Sequence, residues 1–176
     1  MSAEPCALVV MGVSGSGKTT IAVLLAQRLG WVFEDADRLH PSANVEKMHV
    51  GIPLNDADRA PWLCAVADEI GSWLDSGRSG VMACSALKRA YRDVIRAGRA
   101  NVRFVYLKGD PDLIALRMKT RRHHFMPPSL LESQLETLEE PEPDEEPIVV
   151  GIEGAPGEIV DQALVRLPDA CRAHLL

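Results

Sequence analysis

No stretch of the 176-residue chain is apolar for long enough to cross a bilayer. The longest runs, such as residues 7–12, stop far short of the about 20 residues a membrane helix needs. No charged-then-apolar leader opens the sequence. Basic charge is not in excess, with 19 Lys and Arg against 25 Asp and Glu and a net charge of −6. That balance argues against the strongly basic surface on which non-specific nucleic-acid binding depends. Cysteine is scarce: Cys6, Cys64, Cys84 and Cys171 are the only four, and no two stand as CxxC. Zinc-type spacing is therefore missing, and four reduced thiols in a cytoplasmic protein are expected. No internal repeat is visible. What remains is an ordinary globular mixture, 47% hydrophobic and 25% charged. A chain of this length buries roughly 70% of its unfolded surface and needs no staple to fold.

Short apolar runs alternate with longer helical ones. Residues 7–11 are a compact apolar run between Pro5 and Gly12, read as a buried strand. Residues 19–29 carry apolar side chains at helical spacing and stop at Gly30, a good C-terminal signal. Further strands are predicted at 31–33, 81–84, 102–107 and 148–152. Helices are predicted at 58–74, 88–97, 111–121 and 158–167. The stripe Trp62, Val66, Ile70 and Trp73 is the buried face of the first of these, and Gly77 and Gly80 end it. Such alternation predicts an α/β fold, a five-stranded and mainly parallel sheet with helices on both faces. One domain covering 1–176 is expected. Two stretches interrupt the rhythm. Residues 35–61 are polar and read as an insert. Residues 121–147 begin basic and end acidic, with eight of the 25 carboxylates between Glu132 and Glu146. That acidic run reads as a solvated helix end and loop.

The segment Gly12-Val13-Ser14-Gly15-Ser16-Gly17-Lys18-Thr19 fits GxxxxGK[ST] in full, between an apolar strand and an amphipathic helix. Glycines let the backbone take positive φ and come close to phosphate oxygens. Successive N–H groups then face one concavity and bind anions. The following helix adds roughly half a positive charge at its N-terminus. Lys18 can reach the β- and γ-phosphates, and the Thr19 hydroxyl can sit on magnesium. No NKxD segment is present to read guanine, so ATP is the expected nucleotide.

Asp35 and Asp37 follow the second strand, at the end of an open parallel sheet where ligands bind. Asp37 could orient an attacking hydroxyl and accept its proton, or hold magnesium through water. An unperturbed Asp, with a pKa of about 3.9, is ionised at neutral pH. Arg117 and Arg121, four apart on a predicted helix, share a face, and Lys119, Arg122, His123 and His124 crowd the same segment. Crowded cations repel unless an anion neutralises them, and a transferring phosphoryl group is such an anion. Residues 117–127 are read as a helix end and a mobile lid, with Arg117 and Arg121 stabilising charge. A basic helix paired with the acidic stretch is the alternative.

The segment around Asp37 also carries a family resemblance. Phe33-Glu34-Asp35-Ala36-Asp37-Arg38-Leu39-His40-Pro41, then Asn44, Lys47-Met48, Gly51, Pro53-Leu54, Asp56, Asp58-Arg59 and Pro61-Trp62-Leu63 resemble the gluconate kinases. Cys84-Ser85-Ala86-Leu87-Lys88, Tyr91-Arg92-Asp93, Arg96, His124-Phe125-Met126-Pro127, Leu130-Leu131, Ser133-Gln134 and Leu138-Glu139-Glu140-Pro141 continue the likeness, which spans residues 8 to about 152. The resemblance implies a three-layer phosphate-loop kinase fold of the nucleoside-monophosphate-kinase type. It implies ATP-dependent phosphorylation of D-gluconate at its 6-hydroxyl, magnesium, and a homodimer. Ala36 and His123 stand where the family often has glycine, and Ala36 fits only if its φ is negative.

Gluconate is a small anion with several hydroxyls, and an arginine fork suits its carboxylate. Arg59 and Arg92 are the candidates. Lys88 and His40 would hydrogen-bond its oxygens, and Ser85 follows the third strand. His124 is added from the lid segment. Arg59 could instead pair with Asp56 or Asp58, and Lys88 with Arg92, four apart, could form a solvated basic face. Trp62 and Trp73 are expected in the core. Rival readings are another small-molecule kinase, of shikimate or of nucleoside monophosphates, and a nucleotide-binding regulator. Shikimate kinases usually carry three glycines after the third strand, where this chain has Cys84-Ser85-Ala86.

Overall fold

Five strands lie side by side in the order β2-β3-β1-β4-β5: β1 Ala7–Met11, β2 Val32–Asp35, β3 Gly80–Ala83, β4 Val102–Lys108 and β5 Ile148–Gly151. All four pairings are parallel. The computed structural model describes residues 4–120 and 128–172. Alternate residues of each strand feed opposite faces. Leu8 and Val10 of β1 join Val81, Val105 and Leu107 in one core cluster, while Ala7, Val9 and Met11 join Met82, Phe104 and Tyr106 in the other. Burial on both faces explains why β1 reads as an unbroken apolar run. Helices α1 (Lys18–Leu29), α5 (Pro111–Thr120), α6 (Pro128–Thr137) and α7 (Pro156–Val165) cover the first face. Helices α3 (Asp56–Asp75) and α4 (Arg89–Arg96) cover the second. The expected three layers are present. Among the described residues no helix is long and apolar enough to cross a membrane.

Helix α3 shows how local chemistry sets an element. Asn55 accepts from the Asp58 N–H at 2.8 Å and Asp58 accepts from the Asn55 N–H at 3.0 Å, so a capping box opens it. Trp62, Val66, Ile70 and Trp73 are buried, as their spacing predicts. The ring of Trp73 packs so closely on the start of β3 that a Cβ at Gly80 would lie 2.3 Å from it. Gly80 therefore begins the strand as well as following the helix.

The polar insert is more ordered than its composition suggests. Residues Ala36–Leu39 form a 3-10 turn, and Ser42–His49 form a helix, α2, with Asn44 its only buried residue. A helix without an apolar stripe gives no periodic signal. Polar bonds hold it instead: Asn44 Nδ2 donates to the Asp58 carbonyl at 2.9 Å, and Lys47 pairs with Asp58 at 2.9 Å.

The cysteine expectation needs correction. Cys6 and Cys171 are joined by a disulfide across 165 residues, leaving Cys64 and Cys84 as thiols. Cys6 precedes β1, and Cys171 lies in the last helix, α8 (Asp169–Arg172); both are buried in the same core cluster. Topology makes this pair, so no local spacing reveals it. The thiol argument for a cytoplasmic protein loses half its support with it.

Candidate active site

The loop between β1 and α1 is built for an anion. Gly15 and Gly17 have φ of 81° and 97°, in the left-handed region that L side chains avoid. A Cβ at Gly15 would also meet Met118 of α5 at 2.4 Å. No acidic residue stands in the first turn of α1, so nothing offsets its positive end. Lys18 Nζ donates to the Val13 carbonyl at 3.0 Å and folds over the loop. The Gly12 N–H donates to the Ser85 carbonyl at 3.3 Å, tying the loop to the end of β3. Ser16 Oγ is buried with no hydrogen-bond partner among the described residues. A glycine-shaped cradle with a lysine across it fits a nucleoside triphosphate tail.

Beyond the loop stand two carboxylates. Thr19 Oγ1 donates to Asp35 Oδ2 at 2.9 Å, and Asp35 Oδ1 accepts the Asp37 N–H at 2.9 Å. The turn between them is pinned from below, because Trp62 Nε1 donates to the Ala36 carbonyl at 2.7 Å. Ala36 itself is fully buried and is not among the residues with positive φ. Alanine therefore sits there without strain. Asp37 lines the cleft with its side chain open to solvent on that side. The protein packed against the rest of the residue, aided by the Asp35 charge and opposed by Lys18, raises its pKa above that of a free aspartate, an effect that solvent at the cleft mouth screens. Among the described residues no three His, Cys, Asp or Glu side chains cluster as a metal cage. A divalent ion here would draw on phosphate and water oxygens, as magnesium does.

From the loop a cleft runs past Asp37 to His40, Arg59, Trp62 and Ser85. His40 stacks on Trp62 with ring centroids 4.1 Å apart. Its Nδ1 lies 3.2 Å from Asn44 Nδ2, an amide donor, so Nδ1 accepts and Nε2 carries the hydrogen. Burial, then the Arg59 charge, lower the His40 pKa to about 4. The ring is thus neutral at pH 7 and presents an N–H donor. Arg59 is braced from behind: its Nη1 donates to the Tyr91 hydroxyl at 3.2 Å, and that hydroxyl donates to Asp56.

Several expected residues are elsewhere. Arg92 is 2% exposed, with its guanidinium paired to Glu145 at 2.7 Å and donating to the carbonyls of Ala86 and Leu87. It has no fork left for a substrate, so its assignment to the acceptor pocket is corrected. Lys88 precedes α4 as its cap, so it does not share a helix face with Arg92. It pairs with Asp56 at 3.2 Å and does not line the cleft. Arg117 turns to the end of the sheet, where Nη2 donates to the Ile152 carbonyl at 2.6 Å. Arg121 and His124 lie outside the described residues, as does most of the 117–127 lid.

Other residues went unsuspected. Asp35, not Asp37, bonds the Thr19 hydroxyl. The acidic run, read as a solvated helix end and loop, does open on the end of a helix, α6, but Ser133 and Gln134 of that helix form a cleft wall with Leu130. Leu131, Leu135 and Leu138 recur at helical spacing and could have signalled it. Glu145 is buried against Arg92.

Comparison with known proteins gives this geometry its relatives. A family model described as "Shikimate kinase" matches residues 14–164. A curated gluconokinase of Gluconobacter oxydans is 49% identical over 164 residues, covering 93% of this chain and 92% of that protein. A crystal structure of an unliganded sugar kinase from Janibacter superposes with a TM-score of 0.90 at 47% identity, covering 96% of this chain and 98% of the other. A gluconokinase structure from Sinorhizobium meliloti superposes with a TM-score of 0.84 at 44% identity, covering 94% and 93%.

Proposed function

Because the chain belongs to the shikimate-kinase-type phosphate-loop kinases, and among them to the gluconokinases, we propose that it transfers the γ-phosphoryl group of ATP to the 6-hydroxyl of D-gluconate. The observation that carries this reading is the continuity of one cleft, from the phosphate cradle at Lys18 past Asp37 to the Arg59 guanidinium. One end suits a triphosphate, the other a small carboxylate, and a carboxylate base lies between.

In this reading Arg59 takes the gluconate carboxylate. The neutral His40 Nε2–H and the Ser85 hydroxyl bind chain hydroxyls. Asp37 receives the 6-hydroxyl. The hydroxyl oxygen bonds to the γ-phosphorus while the bond to the β,γ-bridging oxygen breaks. ADP leaves with that electron pair, and the hydroxyl proton passes to Asp37. The raised pKa makes Asp37 a stronger base than a free aspartate. Phosphoryl transfer has a loose transition state, so positioning matters more than base strength. Thr19, with Asp35 and Asp37, would hold magnesium, which neutralises charge on the β- and γ-phosphate oxygens.

An ADP-release assay across gluconate, related aldonates, shikimate, nucleoside monophosphates and water alone tests the reading. Gluconate is expected to exceed every other acceptor by about tenfold or more, or about 1.4 kcal/mol. Shikimate turning over as fast, or water alone accounting for all release, would overturn it. Arg59→Ala should raise the gluconate KM about tenfold to a hundredfold, the loss of a charge-assisted hydrogen bond. The ATP KM should stay near the parent value. Arg59→Lys should recover only part, since an ammonium lacks the planar fork. An unchanged gluconate KM in Arg59→Ala removes that residue from the acceptor site.

A further inference from the structure

Gln134 reaches the phosphate loop from a helix 120 residues away. Its Oε1 accepts the Ser14 N–H at 2.6 Å, and the residue lines the same cleft as Lys18 and Asp37. The bond occupies an amide hydrogen at the rim of an anion cradle. The same side chain offers two N–H donors in exchange, on Nε2, and these donate to no group among the described residues. One planar amide therefore grips the loop with its oxygen and has its nitrogen left for an anion.

The helix that carries it is seated independently of this contact. Leu131 is buried in the core and Leu135 packs against it. Just past the helix, the Glu139 N–H donates to the Leu87 carbonyl at 2.8 Å, and Glu139 Oε2 accepts the Arg89 N–H at 3.0 Å. The wall formed by Leu130, Ser133 and Gln134 is thus anchored at the core and at the loop after β3, which carries Ser85. A donor on such a wall is preorganised, so it needs no rearrangement when charge develops.

Resting on the kinase reading above, we propose that Gln134 contacts the γ-phosphate of bound ATP through Nε2 while Oε1 keeps the Ser14 N–H, and that this contact favours the alcohol over water as acceptor. In the competing reaction a water oxygen bonds to the γ-phosphorus, the same bridging bond breaks, and ADP and inorganic phosphate leave. Water needs no pocket, so only a fixed phosphoryl group and a closed wall disfavour it. A neutral amide can hold that group without itself being a nucleophile.

The test uses the full chain and two variants. Gln134→Ala is expected to cut gluconate-dependent turnover about tenfold or more and raise the ratio of gluconate-independent to gluconate-dependent ADP release at least as much. Its melting temperature should stay within about 4 °C of the parent, a change of about 1 kcal/mol. Gln134→Glu keeps an acceptor for Ser14 but loses both donors and adds a negative charge. It should bind a non-hydrolysable ATP analogue about tenfold more weakly, with ADP affinity changed far less, because ADP lacks the γ-phosphate. An unchanged release ratio in Gln134→Ala, or equal weakening of analogue and ADP in Gln134→Glu, overturns the proposal. A parent chain inactive on gluconate would sink the substrate assignment, while the analogue-against-ADP comparison would still decide the phosphate contact.

Discussion

Asp37→Asn is expected to lower gluconate-dependent turnover by about 10²–10⁴-fold, the usual worth of a positioned base, while making the folded protein more stable at neutral pH. Both effects come from one cause. The pKa of Asp37 is raised in the folded state by burial and by Asp35, against the pull of Lys18. A raised folded pKa means that the unfolded chain holds the ionised form more easily. Stability is therefore full below the unfolded value and falls as the pH rises through the folded value. The cost grows as the carboxyl ionises in the folded state, solvent at the cleft mouth keeps it small, and an amide removes it. The melting-temperature gain should vanish in acid, where the carboxyl is protonated in both states. The acid limb of kcat/KM in the parent should lie above the ordinary carboxylate range and disappear in the variant. ATP-analogue affinity should fall far less than turnover, since Thr19 and Asp35 remain to hold magnesium. A variant with parental kcat would end the base assignment, and one that loses stability at neutral pH would show that Asp37 is not penalised where it stands.

What the sequence made legible was local. An apolar run between Pro5 and Gly12 is β1 to the residue, because burial on both faces leaves no polar position to blur it. The eight-residue loop could be placed because strand, turn and helix each have their own signature within 20 residues of one another. Asp37, His40 and Arg59 reach one cleft because the insert is short and Trp62 pins it to the helix behind. What stayed hidden was pairwise and distant. Helix α2 has no apolar stripe to announce it. Gln134 meets Ser14 across 120 residues, and Cys6 meets Cys171 across 165. A dense acidic run reads as solvated surface, yet Glu145 within it is 5% exposed. Charge density told nothing about which carboxylate the fold would bury, because that depends on an arginine 53 residues earlier.

That arginine gives the second large expectation: Arg92→Ala should destabilise the fold by about 3–5 kcal/mol, the range for breaking a buried pair from one side. For a chain of this size the melting temperature should fall by about 10 °C or more. Arg92 Nε and Nη2 meet the Glu145 carboxylate at 2.7 and 3.1 Å, and Nη1 donates to the Ala86 and Leu87 carbonyls at 2.9 and 3.2 Å. Burial pushes the Glu145 pKa up, but the Arg92 hydrogen bonds, the Glu142 N–H and the charges of Arg92 and Arg89 together hold the carboxyl below its usual range. Removing the arginine leaves that carboxylate buried without its ion-pair partner, keeping the Glu142 N–H at 2.9 Å. Replacing both partners with leucine should recover most of the loss, since a well-packed apolar pair need not be less stable than an ion pair. The site should feel the single change as well. Ala86 has a φ of +46°, a left-handed conformation that costs an alanine about 1 kcal/mol and that the arginine bonds help to hold. Its neighbour Ser85 lines the cleft and accepts the Gly12 N–H. Loosening this turn should reduce turnover and gluconate affinity together, with the stability loss as the larger effect. Thermal and urea unfolding beside steady-state kinetics would separate the cases. An Arg92→Ala protein that melts with the parent but has a selectively raised gluconate KM would return the side chain to the acceptor pocket.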